Sequence, residues 1–96
     1  MIITALEACV APEGWVNLRA GYDVLLAHLP AEIIHTYLTQ DGAETARWRI
    51  ITVWQNREFI DREAQEFREP TPGTLLFRAA GAEPTLTVWE VCAASP

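Results

Sequence analysis

One stretch constrains this chain more than any other: Arg47 to Asn56, reading Arg-Trp-Arg-Ile-Ile-Thr-Val-Trp-Gln-Asn. An extended backbone sends successive side chains to opposite sides. Trp48, Ile50, Thr52 and Trp54 therefore share one side, and Arg49, Ile51, Val53 and Gln55 share the other. Both sides are largely apolar, which predicts a central strand covered on both faces. One face must meet helices, and the other must meet something that accepts tryptophan.

The rest of the composition narrows the class. Ninety-six residues, half of them apolar, suffice for one domain over 1–96 with one real core. The formal charge is -6, and all seven basic residues are Arg, with no basic cluster. That argues against nucleic acid or an anionic membrane surface as a partner. The N-terminal Met-Ile-Ile-Thr-Ala-Leu-Glu lacks the basic region and long apolar core of a signal peptide, and no run of about 18 apolar residues occurs, so a soluble cytoplasmic protein is expected. Cys9 and Cys92 stand alone and are expected to be reduced. There is no GxGxxG, P-loop, GxSxG or HExxH pattern, and no His/Cys spacing suited to zinc. Neither a metal nor a cofactor is expected.

In chain order, residues 2–10 alternate as a first strand. Pro12 suits the first turn of a helix. From Trp15, the apolar positions Leu18, Tyr22, Leu25, Leu26 and Leu29 recur at helical spacing, and Pro30 stops the run. Gly14 and Gly21 weaken this helix by up to about 1 kcal/mol each relative to Ala. Residues 32–40 form a second strand, and the polar turn Asp41–Thr45 leads into the central strand, predicting a hairpin. Asn56 is a good N-cap for a helix over 57–67, in which Ile60, Ala64 and Phe67 repeat at i, i+4, i+7. Glu69-Pro70-Thr71-Pro72-Gly73 ends it. Residues 74–80, with the short apolar run Leu75–Phe77, fit neither period clearly. After a turn at Gly81–Pro84, residues 85–92 alternate as a last strand.

Strand, helix, strand, strand, helix, strand defines an α+β, ferredoxin-like βαββαβ chain. Its four-stranded antiparallel sheet carries both helices on one face. The expected strand order, fourth, first, third, second, puts Cys9 and Cys92 at far ends of neighbouring strands, too far apart to pair. The aliphatic sets Ile34/Leu38, Ile51/Val53 and Leu86/Val88 suit the helix side. His35, Tyr37, Trp48, Thr52, Trp54, Thr87 and Trp89 are then expected on the open face. Such an apolar face marks an interface or a groove. A homodimer through this open face, with twofold symmetry, is the expectation.

The run Trp48–Glu58, with Phe77–Pro84 and Thr87–Val91, resembles small bacterial proteins of the antibiotic biosynthesis monooxygenase superfamily. The resemblance covers nearly the whole chain, and its most family-like mark is a Trp closing the third strand before a helix. It implies a dimeric α+β barrel in which two ferredoxin-like units enclose a pocket per subunit. In some members it implies oxidation of phenols or quinols by molecular oxygen without a cofactor. The haem-degrading branch pairs a first-strand Asn with a His after the second helix, and this sequence has neither.

On that resemblance, a flat phenol would bind an aromatic pocket and react more readily once ionised. Trp54 matches the family tryptophan. His35, Tyr37 and Arg78 are candidate catalytic polar groups, and Trp48, Thr52, Thr87 and Trp89 candidate substrate contacts. Each also has a structural reading: tryptophans as core or interface, His35 and Tyr37 as sheet residues, and Arg78 as a partner of Glu83 or Glu90. His28 sits near a helix C-terminus, where a cation is favoured. The alternative to an enzyme is a non-catalytic dimer that binds a small apolar ligand or packs its sheets together.

Overall fold

The computed structural model describes residues 1–58 and 71–95. Strands β1 (Ile2–Cys9), β2 (Ile33–Gln40), β3 (Arg47–Trp54) and β4 (Thr85–Glu90) form one antiparallel sheet in the order β2-β3-β1-β4. This is the ferredoxin-like arrangement and the strand order that the alternation predicts. A 3-10 turn at Pro12–Gly14 leads into helix α1 (Trp15–Leu26), and helix α2 (Pro72–Ala79) precedes β4. The helix expected over 57–67, apart from its first two residues, lies outside the described residues. No helix among the described residues is long and apolar enough to cross a membrane.

Local chemistry sets the boundaries. Helix α1 ends at Leu26, short of Leu29: Pro30 has no N–H for the Leu26 carbonyl, four residues back, and disfavours helical backbone at Leu29. A β-bulge between Ile33 and His35 adds a residue to β2 opposite β3. In the hairpin turn the Asp41 carboxylate accepts the backbone N–H groups of Ala43 and Glu44, at 2.8 and 2.9 Å. These bonds, Glu44 first, hold Asp41 below the usual carboxylate range, with Arg49 adding to the effect. Arg47 and Arg49 also reach Glu7, at 3.2 and 2.8 Å, forming a charged cluster at one end of the sheet.

Residues 74–79 of the stretch that is ambiguous in sequence belong to α2, and Ala80 is its C-cap. Thr71 caps this helix, its Oγ1 accepting the Thr74 N–H at 3.3 Å, and Pro72 occupies the first turn. Gly81, at φ 83°, takes the left-handed conformation that stops a helix. Thr71-Pro72-Gly73, expected as the end of the preceding helix, instead begins this one. The two helices approach closely where a Cβ on Gly21 would collide with the Leu76 side chain. Gly21 thus gives the Leu76 side chain room against α1, besides its cost in helix propensity, and Gly14 lies ahead of α1, outside it.

The core lies between the helices and the sheet. Leu18 of α1 and Phe77 of α2 have no exposed surface, and Ala8, Val10, Tyr22, Trp48 and Ile50 close around them. Trp15 stands edge-on to Trp48, with ring centres 5.9 Å apart, and its indole N–H donates to the Val10 carbonyl at 2.8 Å.

This packing corrects the expected sheet faces. Trp48, Ile50, Thr52 and Trp54 lie on the helix side, opposite Ala8, Leu6, Thr4 and Ile2 of β1. Ile51 and Val53 lie on the open side with Tyr37 and His35. Alternation fixes which residues of a strand travel together and leaves open which side they take. Aromatic character is a poor guide to that side here, because the small Ala8 and the facing Trp15 make room for Trp48 beneath the helices. His35, Tyr37, Thr87 and Trp89 do occupy the open face, and Leu38, Leu86 and Val88 the helix side. Cys9 and Cys92 are free and exposed, at opposite ends of the β1–β4 pair.

Candidate functional site

A cavity of about 530 Å³ opens between the sheet and the helix ends. It is thus on the helix side, not on the open face to which the aromatic residues had been assigned. Thr4, Thr36, Thr52 and Trp54 form its floor, from β1, β2 and β3. The end of α1 contributes Leu25, His28 and Leu29, and the start of α2 contributes Pro72, Gly73 and Thr74. Glu83, Pro84 and Leu86 complete the rim. The size suits a small organic ligand, and the wall is mainly apolar with a few polar groups.

The floor is a row of hydroxyls. Thr4 and Thr36 are both direct cross-strand neighbours of Thr52, so the three side chains stand abreast on one sheet face. Tyr22 of α1 donates its phenolic O–H to Thr36 at 3.2 Å, and Thr36 and Thr52 share a hydrogen bond at 3.3 Å. The Trp54 indole N–H donates to Thr4 at 3.0 Å, which holds the ring along the cavity wall.

Of the residues singled out in the sequence, the structure brings Trp54 and Thr52 together on this wall. Trp48 is on the same face but lies within the core, where its Nε1 has no hydrogen-bond partner among the described residues. His35 and Tyr37 stack loosely on the opposite face, ring centres 6.1 Å apart, and Thr87 and Trp89 share that face with them. Arg78 makes a bidentate pair with Glu83, at 2.7 and 2.9 Å. The guanidinium hydrogen bond holds Glu83 below its ordinary range. Arg78 is thereby tied to the rim. Glu83 and His28 are the ionisable side chains on the described wall.

Thr4, Thr36, His28 and Tyr22 were not singled out as site residues. The signal for the threonines was present, since Thr4, Thr36 and Thr52 recur in step on three strands that a hairpin and a crossover make adjacent. His28 becomes a wall residue only because the chain turns after Leu26 and faces it toward the cavity. Among the described residues, no His, Cys, Asp and Glu side chains gather into a group that could hold a metal ion.

No protein-family model and no curated protein sequence matches the chain. Solved structures do match in fold. A protein of Deinococcus radiodurans assigned as an antibiotic biosynthesis monooxygenase superposes with a TM-score of 0.74 at 14% identity, over 100% of this chain and 97% of its own. SnoaB, a cofactor-independent oxygenase from Streptomyces nogalater, gives 0.68 at 16% identity, over 99% of this chain and 96% of its own. A conserved protein of Methanosarcina mazei gives 0.71 at 12% identity, over 92% and 89%. The chain thus has the ferredoxin-like fold of the antibiotic biosynthesis monooxygenases, in keeping with the resemblance carried by residues 48–58 and 77–91.

Proposed function

We propose that this protein is a monooxygenase or related oxidoreductase, independent of a cofactor, that acts on a small flat phenol or quinol in the cavity between sheet and helices. The observation that carries the reading is the cavity itself: an apolar chamber walled by Trp54 over a hydroxyl floor, in a fold shared with a cofactor-independent oxygenase. Fold alone does not assign chemistry, so the argument rests on what this wall can do. Trp54, Leu25 and Leu29 offer flat and aliphatic surface to a ring. His28 is the wall imidazole suited to take a phenolic proton, and an ionised substrate passes an electron to oxygen more readily. Oxidising a ring C–H of a phenol to the C=O of a quinone places one oxygen atom of O2 on carbon, while the other leaves as water with that hydrogen and the phenolic one. The reaction balances without an added reductant.

We propose further that two copies pair through the open sheet face, where Tyr37 and Trp89 are each 51% exposed beside Ile51 and Val53. A face of this kind is a candidate self-interface. The second reading, a non-catalytic binder, uses the same cavity and differs only in the absence of turnover.

Oxygen uptake with a panel of flat phenols and quinols separates the two, with binding followed by tryptophan fluorescence. The expected result is uptake coupled to substrate loss, with Trp54→Phe lowering kcat/KM on the order of tenfold, the equivalent of about 1.4 kcal/mol in the barrier. Tight binding with no uptake would assign the non-catalytic reading instead.

A further inference from the structure

We infer that the cavity floor is a two-donor site for an acceptor oxygen of the ligand, formed by the hydroxyls of Thr4 and of the Thr36–Thr52 pair. This deepens the reading of the cavity as the substrate site and rests on it. The inference follows from counting protons. A hydroxyl carries one proton and accepts through its lone pairs. Tyr22 spends its proton on Thr36. The single bond between Thr36 and Thr52 spends one of their two protons, whichever residue donates. When the bonds run in one direction, from Tyr22 through Thr36 to Thr52, each hydroxyl both accepts and donates, the mutually reinforcing arrangement, and the proton that remains is that of Thr52. Thr4 accepts from Trp54, so its own proton also remains. Neither remaining donor meets an acceptor among the described residues.

Two observations tie these donors to a ligand. Thr4 and Thr52 are each only 8% exposed, so little of either residue meets the outer surface and what meets their hydroxyls is what fills the cavity. Both residues line the cavity. They are direct cross-strand partners, and such partners hold their Cβ atoms about 4.5–5.5 Å apart. At that separation two hydroxyls can converge on one oxygen atom. A buried donor without an acceptor is costly, and an oxygen seated between the two relieves the cost.

The chemistry of the wall then restricts the ligand. Two neutral donors suit a ketone oxygen or the oxygen of an ionising phenol. Arg78 is bound to Glu83, whose carboxylate sits on the rim, so among the described residues the wall holds no arginine free to meet an anion, and the floor offers neutral donors only. Carboxylated or phosphorylated ligands are therefore disfavoured. The structure assigns an uncharged flat aromatic ketone or phenol, its oxygen down on Thr4 and Thr52 and its ring beside Trp54.

The test compares 1-tetralone with tetralin, which has the same bicyclic skeleton without the oxygen, by fluorescence titration under nitrogen. The intact protein should bind the ketone about tenfold tighter, the size of one to two net hydrogen bonds. Thr52→Val should remove much of that preference while leaving tetralin binding unchanged, Thr4→Val should act likewise, and Thr52→Ser should retain it. Thermal melting checks that each variant folds; should Thr4→Val not fold, the Thr52 pair of variants decides. A ketone preference that survives Thr52→Val, or no preference in the intact protein, overturns the assignment. Because the readout excludes oxygen, it is independent of turnover. Loss of preference in Thr52→Val together with no oxygen uptake would uphold the donor site and defeat the oxygenase reading.

Discussion

Phe77→Ala is expected to destabilise the fold by about 3–5 kcal/mol, the cost of removing a fully buried aromatic ring and leaving a void. Phe77 has no exposed surface and lies in the cluster formed by Leu18, Tyr22, Trp48 and Ile50. Its helix α2 is only eight residues long, too short to persist in water on its own. The ring therefore fastens both the helix and the cavity wall that the helix contributes. Against a typical total of about 5–15 kcal/mol, such a loss leaves a small domain partly unfolded at ambient temperature. Urea unfolding followed by circular dichroism gives the number. A change under about 1 kcal/mol would show that α2 does not pack as described.

Trp89→Glu is expected to convert the proposed dimer to monomer. Trp89 faces away from the helices, across from Ile3 of β1 and on the side of Tyr37, Ile51 and Val53. By twofold symmetry the substitution enters an interface twice, and each unpaired charge taken out of water costs several kcal/mol or more. Val16→Glu serves as the control, because Val16 is 77% exposed on α1, on the opposite side of the molecule from the open face. Sedimentation equilibrium should give the dimer mass for the parent and Val16→Glu, and the monomer mass for Trp89→Glu. A dimer that withstands Trp89→Glu would place the self-interface elsewhere.

The fold was legible in the sequence where periodicity is the only signal needed. Alternation over residues 2–10, 32–40, 47–56 and 85–92 located all four strands, and their connections dictated the sheet order. Two features were less legible. The α2 segment Pro72–Ala79 is too brief to display a helical period, and its evidence lies in punctuation: a Thr-Pro start and a Gly81 stop, read at first as the end of another helix. The side taken by β3 is set by tertiary packing. A strand apolar on both sides can be placed either way up, and what decides it here is Trp15 meeting Trp48, a contact between residues far apart in the chain.

The same inversion governs how much of the candidate site could be read. Trp54 and Thr52 reach the cavity, on the face opposite the one their aromatic set suggests. His35, Tyr37 and Trp89 take the open face, as expected of them. Thr4 and Thr36 gain meaning only once the register sets them beside Thr52. A threonine in a strand is ordinary by itself, and three abreast under a cavity form a polar floor. Tyr22, by helical spacing a core residue, turns out to anchor that floor through its hydroxyl.

The central claim is that ligands enter between sheet and helices rather than against the open face. Amide and indole chemical shifts of the 15N-labelled protein, titrated with 1-naphthol under nitrogen, test it most directly. The account predicts that the largest shifts fall on Thr4, Thr36, Thr52 and the backbone and indole N–H of Trp54. Largest shifts on Tyr37, Ile51 and Trp89 would contradict it.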